Sequence, residues 1–320
     1  MSAYQNVNLS IIICCFNGEK HLESTLDSLL KQSYSDYELI FINDGSIDLT
    51  EKILLSKVKY FQSVKYIYQE NKGLQASRNI GLQNASENSN YVMFLDADDL
   101  FDEFFIEKLY SEISVNNSLS SVHCDIEHFP EIYKENYGEL YDFNYGLTIV
   151  SKRNQIGLFD VITGNHRIME AASIYRKATL INSGGWDEVN FPKGETYGES
   201  VPLLIGLILN GNVLFLREAL YFYRRHEMQI TSKINVNSNA IKITSQNVLR
   251  KKFSKLETLV ILFVCELGSK IISFKKSYKY LIRKKSLLFF IYLPKVVLSY
   301  CLFYFLRLLL PSKVFNLLFK

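Results

Sequence analysis

The sequence has few cysteines and no pattern that would tie them together. The five, Cys14, Cys15, Cys124, Cys265 and Cys301, form no CxxC pair, are odd in number, and include two neighbours inside an apolar run. That spacing argues against a disulfide framework or a zinc site and points to reducing surroundings. No GxGxxG follows the first predicted strand and no GxxxxGK[ST] occurs anywhere, so neither a dinucleotide fingerprint nor a P-loop is there to cradle phosphates. The polar start Gln5-Asn6-Val7-Asn8 and the apolar run behind it lack a basic flank and cleavage-type small residues. No secretory signal is read, and the cytoplasmic side is the expected location. Net positive charge is confined to the last part of the chain. Residues 251–320 carry 14 Lys or Arg against Glu257 and Glu266, a net +12 within an overall +3, which leaves −9 for the remainder.

What is present is a rhythm. Of 320 residues, enough for a large α/β core with an appendage or for two modest domains, the first hundred alternate β-rich runs with helical patterns. Strands are predicted at Leu9 to Cys15, Tyr37 to Asn43, Val64 to Tyr68 and Tyr91 to Leu95. Helices are predicted at Glu19 to Lys31, Leu49 to Tyr60 and Gly73 to Ala85. The first, second and fourth strands are continuously apolar, which means burial on both faces and predicts an α/β fold, a mostly parallel sheet flanked by helices. A polar cluster follows each strand: Asn17-Gly18-Glu19, Asp44-Gly45-Ser46, Glu70-Asn71 and Asp96-Ala97-Asp98-Asp99. Strand C-terminal ends border the ligand crevice of such a sheet, so four clusters far apart in sequence are expected to converge on a nucleotide-type ligand. From about Phe104 to Asn190 no element string is clear, beyond a turn at Gly184-Gly185.

The acidic turn Asp96-Ala97-Asp98-Asp99 offers two carboxylates at i and i+2, a spacing that lets both reach one hard cation, Mg2+ or Mn2+. A divalent metal would then take the place of the missing phosphate loop and offset charge growing on a departing diphosphate. The structural alternative is that Asp98 or Asp99 caps a helix starting near Asp102. Asp44-Gly45-Ser46 has a similar alternative, a plain turn with Ser46 or Asp48 capping the next helix.

These residues resemble the inverting glycosyltransferases of family 2, whose catalytic domain has the GT-A fold. Ser10-Ile11-Ile12-Ile13-Cys14-Cys15-Phe16-Asn17 is similar to the family's opening strand, with Cys14 where proline is usual. Asn43-Asp44-Gly45-Ser46 with Asp48 and Thr50 is similar to its second-strand motif, and Asn71-Lys72-Gly73-Leu74 with Ser77-Arg78-Asn79 to its third. The resemblance implies that Phe16, Asn17, Glu19 and Asp44 contact base and ribose and that Arg78 helps hold the donor. It also implies that Asp96 touches ribose or metal and that Asp98 ligates the metal. Farther on, Ser173-Ile174-Tyr175-Arg176 and Gly184-Gly185-Trp186-Asp187-Glu188 resemble the acceptor-side segment. Tyr223-Arg224-Arg225-His226 with Thr231 resembles the segment that closes over the diphosphate, which makes His226 a further candidate metal ligand. On this likeness residues 1–235 form the GT-A domain, with a donor half to about residue 106 and an acceptor half to 235. A polar linker would occupy 236–250 and a helical tail 251–320.

One departure concerns the base. Family members usually carry Glu-Asp shortly before a helix, the Asp taking the acceptor proton, whereas this chain aligns Glu199-Ser200 there. A serine hydroxyl is not a general base at neutral pH, so the role is expected at Glu199 or Glu195; otherwise the chain binds donor without turnover, as a scaffolding partner of another transferase. In the tail, long apolar runs broken by Lys270, Lys275, Lys276, Lys279, Arg283, Lys284, Lys285, Lys295 and Arg307 read as helices lying in an anionic membrane surface rather than as a nucleic-acid site. A buried helical subdomain or an oligomer interface is the alternative for the same segment. A membrane-held transferase fits a glycan or lipid-linked acceptor.

Overall fold

The computed structural model describes residues 7–130, 155–158, 161, 168–188, 200–226, 238–254, 258 and 261–262. The predicted strands and helices of the first hundred residues form with their ends shifted by a few positions. They are β1 (Leu9–Cys15), α1 (Leu22–Leu30), β2 (Glu38–Asn43), α2 (Thr50–Lys57), β3 (Val64–Tyr68), α3 (Leu74–Gln83) and β4 (Tyr91–Asp96). The strands run parallel in the order β3-β2-β1-β4, with Ile12 opposite Ile40 and Phe94. Alternate residues of each central strand feed two cores. Ile11, Ile13, Phe41 and Met93 pack with α1, while Ile12, Ile40, Val92 and Phe94 pack on the other face. Each such buried apolar side chain contributes about 1.5–3 kcal/mol. Gly81 lets α3 lie close on β1, since a Cβ there would meet Ile12 Cγ2 at 2.4 Å.

The second half departs from the mostly parallel expectation. It comprises β5 (Leu100–Phe101), α4 (Phe105–Val115), β6 (Leu119–Pro130), β7 (Gln155–Ile156), β8 (Ser173–Arg176), α5 (Lys177–Ser183), α6 (Ser200–Asn210), β9 (Asn212–Arg225) and α7 (Ser238–Arg250). The sheet continues β4-β8-β6-β9-β5, with β8 antiparallel to both neighbours, β9 parallel to β6, and β5 and β7 antiparallel to β9. The sheet is therefore mixed. β8 lies between β4 and β6 and runs against both, and a short antiparallel strand set between neighbours remote in sequence leaves no continuous apolar run that would announce it.

The structural alternative for the acidic turn does not hold, and the expected linker contains a helix. Asp98 and Asp99 cap no helix: β5 intervenes, α4 starts at Phe105, and Asp102 Oδ1 accepts the Phe104 N–H at 3.0 Å. The span expected to be a polar linker at 236–250 contains α7, whose Val248 and Leu249 are buried in the second core beside Leu203 and Leu204 of α6. Its Ser- and Asn-rich composition concealed an apolar stripe, and the Thr244 hydroxyl donates to Asp187 at 2.9 Å. Among the described residues no helix is long and apolar enough to cross a membrane. The expected membrane-associating tail lies, from residue 255 on, almost wholly outside the described residues.

Candidate active site

The loops after β1 and β2 are joined by reciprocal hydrogen bonds. Asn17, in the left-handed region at φ 53°, donates its N–H to Ser46 Oγ at 2.9 Å, and its Oδ1 accepts the Ile47 N–H at 3.0 Å. Gly18 N–H donates to Thr50 Oγ1 at 2.8 Å, Glu19 N–H to Asp48 Oδ2 at 3.0 Å, and Leu49 N–H back to Glu19 Oε2 at 3.0 Å. Burial raises the Asp48 pKa, but hydrogen bonds from Thr50 and from the Glu19 and Thr50 N–H groups outweigh it and hold the carboxyl below its usual range. The acceptor oxygens of Asn17 and Glu19, expected on the nucleoside, thus hold one loop to the other. Phe16 stands at the rim, 52% exposed.

Asp44 is buried and similarly engaged. Its Oδ1 accepts from Gln69 Nε2 at 2.6 Å and Lys72 N–H at 2.8 Å, and its Oδ2 from Gly73 N–H at 2.9 Å. It therefore fixes the segment leading into α3. Gly45 allows the approach, with φ +79° and an added Cβ only 2.8 Å from Asn71 N.

From α3, Arg78 reaches Asp96 at 3.4 Å with its guanidinium 5.5 Å from the centre of the Trp186 ring. Burial pushes the Asp96 carboxyl up to about 6; Arg78 opposes the rise, and the charges of Asp98 and Glu170 add to it. Next along the helix, Asn79 clasps the glycine turn, donating to the Trp186 carbonyl at 2.9 Å and Glu188 Oε1 at 2.6 Å and accepting Trp186 N–H at 3.0 Å.

The acidic turn is held from two sides. Thr25 Oγ1 donates to the carbonyls of Ala97 at 3.0 Å and Asp99 at 2.8 Å. From β9, the Tyr221 hydroxyl and Arg224 N–H donate to the two carboxylate oxygens of Asp99, and Arg224 Nε donates to the Asp98 carbonyl at 2.7 Å. Burial, with Asp98 and Asp96 nearby, drives the Asp99 carboxyl well above the usual range. This arrangement brings His226, just past β9, to Asp98: Nε2 lies 2.9 Å from Oδ2, and the His226 ring packs on His21 with centroids 4.6 Å apart.

Of the expected metal ligands, Asp98 and His226 meet, whereas Asp96 turns to Arg78. Among the described residues no group of three His, Cys, Asp or Glu is gathered as a ready cluster. The partly exposed carboxylate of Asp98 suits Mg2+ or Mn2+, hard cations that bind through one or two carboxylates and leave positions for phosphate and water, and the His226 imidazole beside it is the softer ligand of the pair. The expected bases Glu199 and Glu195 lie outside the described residues, as does Thr231; Ser200 is the first residue of α6. Sequence reasoning missed the Asp99–Tyr221 contact, which no local motif marks.

The comparisons agree with this geometry. A family model described as "Glycosyl transferase family 2" matches residues 10–178. Glycosyltransferase GlyA of Streptococcus pneumoniae is 28% identical over 68% of this chain, which spans only 30% of GlyA's length. The minor teichoic acid biosynthesis protein GgaA of Bacillus subtilis is 30% identical over 69% of the chain, which spans 48% of GgaA. Among solved structures, residues 1–349 of Staphylococcus aureus TarS with UDP-GlcNAc superimpose with a TM-score of 0.62 at 18% identity, covering 82% of this chain and 73% of that one. The mannosyltransferase PcManGT of Pyrobaculum calidifontis, with GDP-Man and Mn2+, gives 0.55 at 12% identity, covering 97% of this chain and 78% of that one. These two share the fold, and the family match, which covers the strand-end loops and the acidic turn, shows that the chain belongs to glycosyl transferase family 2 and is a glycosyltransferase.

Proposed function

We propose that the chain transfers a hexosyl-type group from a nucleotide diphosphate sugar to a hydroxyl of a cell-surface polysaccharide or lipid-linked glycan precursor, with inversion and with Mg2+ or Mn2+. The observation that carries the reading is the contact of Asp98 with His226, which brings the ends of β4 and β9 together at one point. A divalent cation held by this pair would neutralise the diphosphate and stabilise its departure. Arg78 and Asp96 would orient the donor beside it, while Phe16 at the rim offers a face for the base. Inversion requires the acceptor oxygen to attack the anomeric carbon opposite the leaving diphosphate while a carboxylate takes its proton; Glu199 or Glu195 is the proposed base. The relation to a teichoic acid protein supports a cell-surface acceptor. The basic, apolar segment 251–320 supports attachment at the cytoplasmic membrane face, with an oligomer contact as the other use of that segment. A second reading, donor binding without turnover, rests on Ser200 standing where the base is usual.

The test is release of nucleoside diphosphate from a panel of nucleotide sugars with Mn2+ or Mg2+ and membrane extract, comparing the natural chain with Asp98→Ala. Metal-dependent release that the variant loses supports the transferase. Donor binding with no release under any condition favours the second reading.

A further inference from the structure

Glu170 has no part in the motifs above. It sits in a turn, closed by the Ala172 N–H donating to the Met169 carbonyl at 3.3 Å, that leads directly into β8. Strand β8 runs beside β4, with Tyr91 opposite Arg176 and Met93 opposite Ile174, and β4 ends at Asp96, so the turn rises next to the acidic loop. Its backbone is fixed: the Tyr175 hydroxyl donates to the Glu170 carbonyl at 3.1 Å, and Ala171 and Ala172 are buried. The side chain is half-buried, and its Oε1 is shut off from solvent with no hydrogen-bond partner among the described residues. Its charge is felt at Asp96.

A buried carboxylate oxygen without a donor carries a desolvation cost with no return. A ligand that supplies the donor removes that cost. An ionised phosphate or carboxylate has no proton to give to this oxygen, so the diphosphate end of a donor does not meet the need. An uncharged, hydroxyl-rich group meets it. We infer that Glu170 reads the transferred sugar, its Oε1 accepting a hydrogen bond from a hydroxyl of the hexosyl group, on the side of the acidic turn that faces the acceptor half.

This rests on the transferase reading, and the experiment separates the two. Glu170→Gln and Glu170→Ala, in the full chain and checked for an unchanged circular dichroism spectrum, are titrated with UDP-N-acetylglucosamine, GDP-mannose, UDP and GDP in Mn2+, and KM and kcat are measured for whichever donor turns over. The expected result is an affinity about tenfold weaker for the nucleotide sugar, the scale of a lost hydrogen bond to a charged group, with nucleoside diphosphate affinity kept. Equal loss of sugar-bearing and sugar-free nucleotide would make Glu170 merely structural, and a fall in kcat at constant KM would make it the base; either overturns the assignment. If the natural chain binds no donor, the transferase reading itself falls. If it binds and the variants bind equally well, only the role of Glu170 falls.

Discussion

The Tyr221 hydroxyl donates to Asp99 Oδ2 at 2.5 Å, tying the middle of β9 to the acidic turn at the end of β4. Both groups are buried, and the Arg224 N–H takes the other oxygen at 2.7 Å. The carboxylate that does not face the solvent therefore sets where its neighbour Asp98 meets His226.

Tyr221→Phe keeps the ring and deletes the donor. An unpaired buried acceptor costs about 1–3 kcal/mol, so the unfolding midpoint in urea should fall accordingly. The midpoint of Asp98→Asn, at a partly exposed position, should move much less.

His226→Ala removes one of the two groups proposed to hold the cation. The Mn2+ concentration giving half-maximal nucleotide release should rise at least about tenfold, the scale on which groups around a metal site act. An unchanged Mn2+ dependence would exclude His226 as a ligand.

Asn79→Ala breaks three hydrogen bonds that hold Trp186 and Glu188. A loss of about 1–3 kcal/mol in stability is expected, together with faster amide exchange at Trp186, measured by hydrogen–deuterium exchange.

Asp48 should give an acid-sensitive lip. Its folded pKa lies below the ordinary 3.8, so its contribution to stability is present above that value and is lost as pH falls through the depressed one. The difference in thermal midpoint between the natural chain and Asp48→Asn should be full at neutral pH and should shrink as the pH is lowered below 3.8.

Gly81→Ala places a methyl group against Ile12 Cγ2 at 2.4 Å. Overpacking of this kind costs about 1–3 kcal/mol, visible as a lower thermal midpoint.

The parallel half was legible because β1, β2 and β4 are buried on both faces and so appear as unbroken apolar runs. The other half was not. The four residues of β8 include Ser173 and Arg176, too short and too polar for a periodic signal, and its neighbours in the sheet are remote in sequence. The stripe of α7 is interrupted by polar residues that are themselves buried, Thr244 and Ser245, so composition pointed to a linker. At the site, Asp98 and His226 could be proposed from motif likeness, whereas Asp99 and Tyr221, 122 positions apart, carry no mark of their pairing. Asn17, Glu19 and Asp44 were placed at the right strand ends, but their hydrogen bonds to neighbouring loops depend on backbone geometry that sequence does not display.

Those hydrogen bonds between the loops after β1 and β2 have an evolutionary consequence. Side chains of one loop bind the backbone of the other in both directions, at Asn17 with Ser46 and Ile47, and at Glu19 with Asp48 and Leu49. An inserted residue in either loop would misalign every bond at once, so the two loops can change length only together. Across relatives that retain this lip, their lengths should co-vary, and substitutions at 17 and 19 should be matched by compensating ones at 46–49.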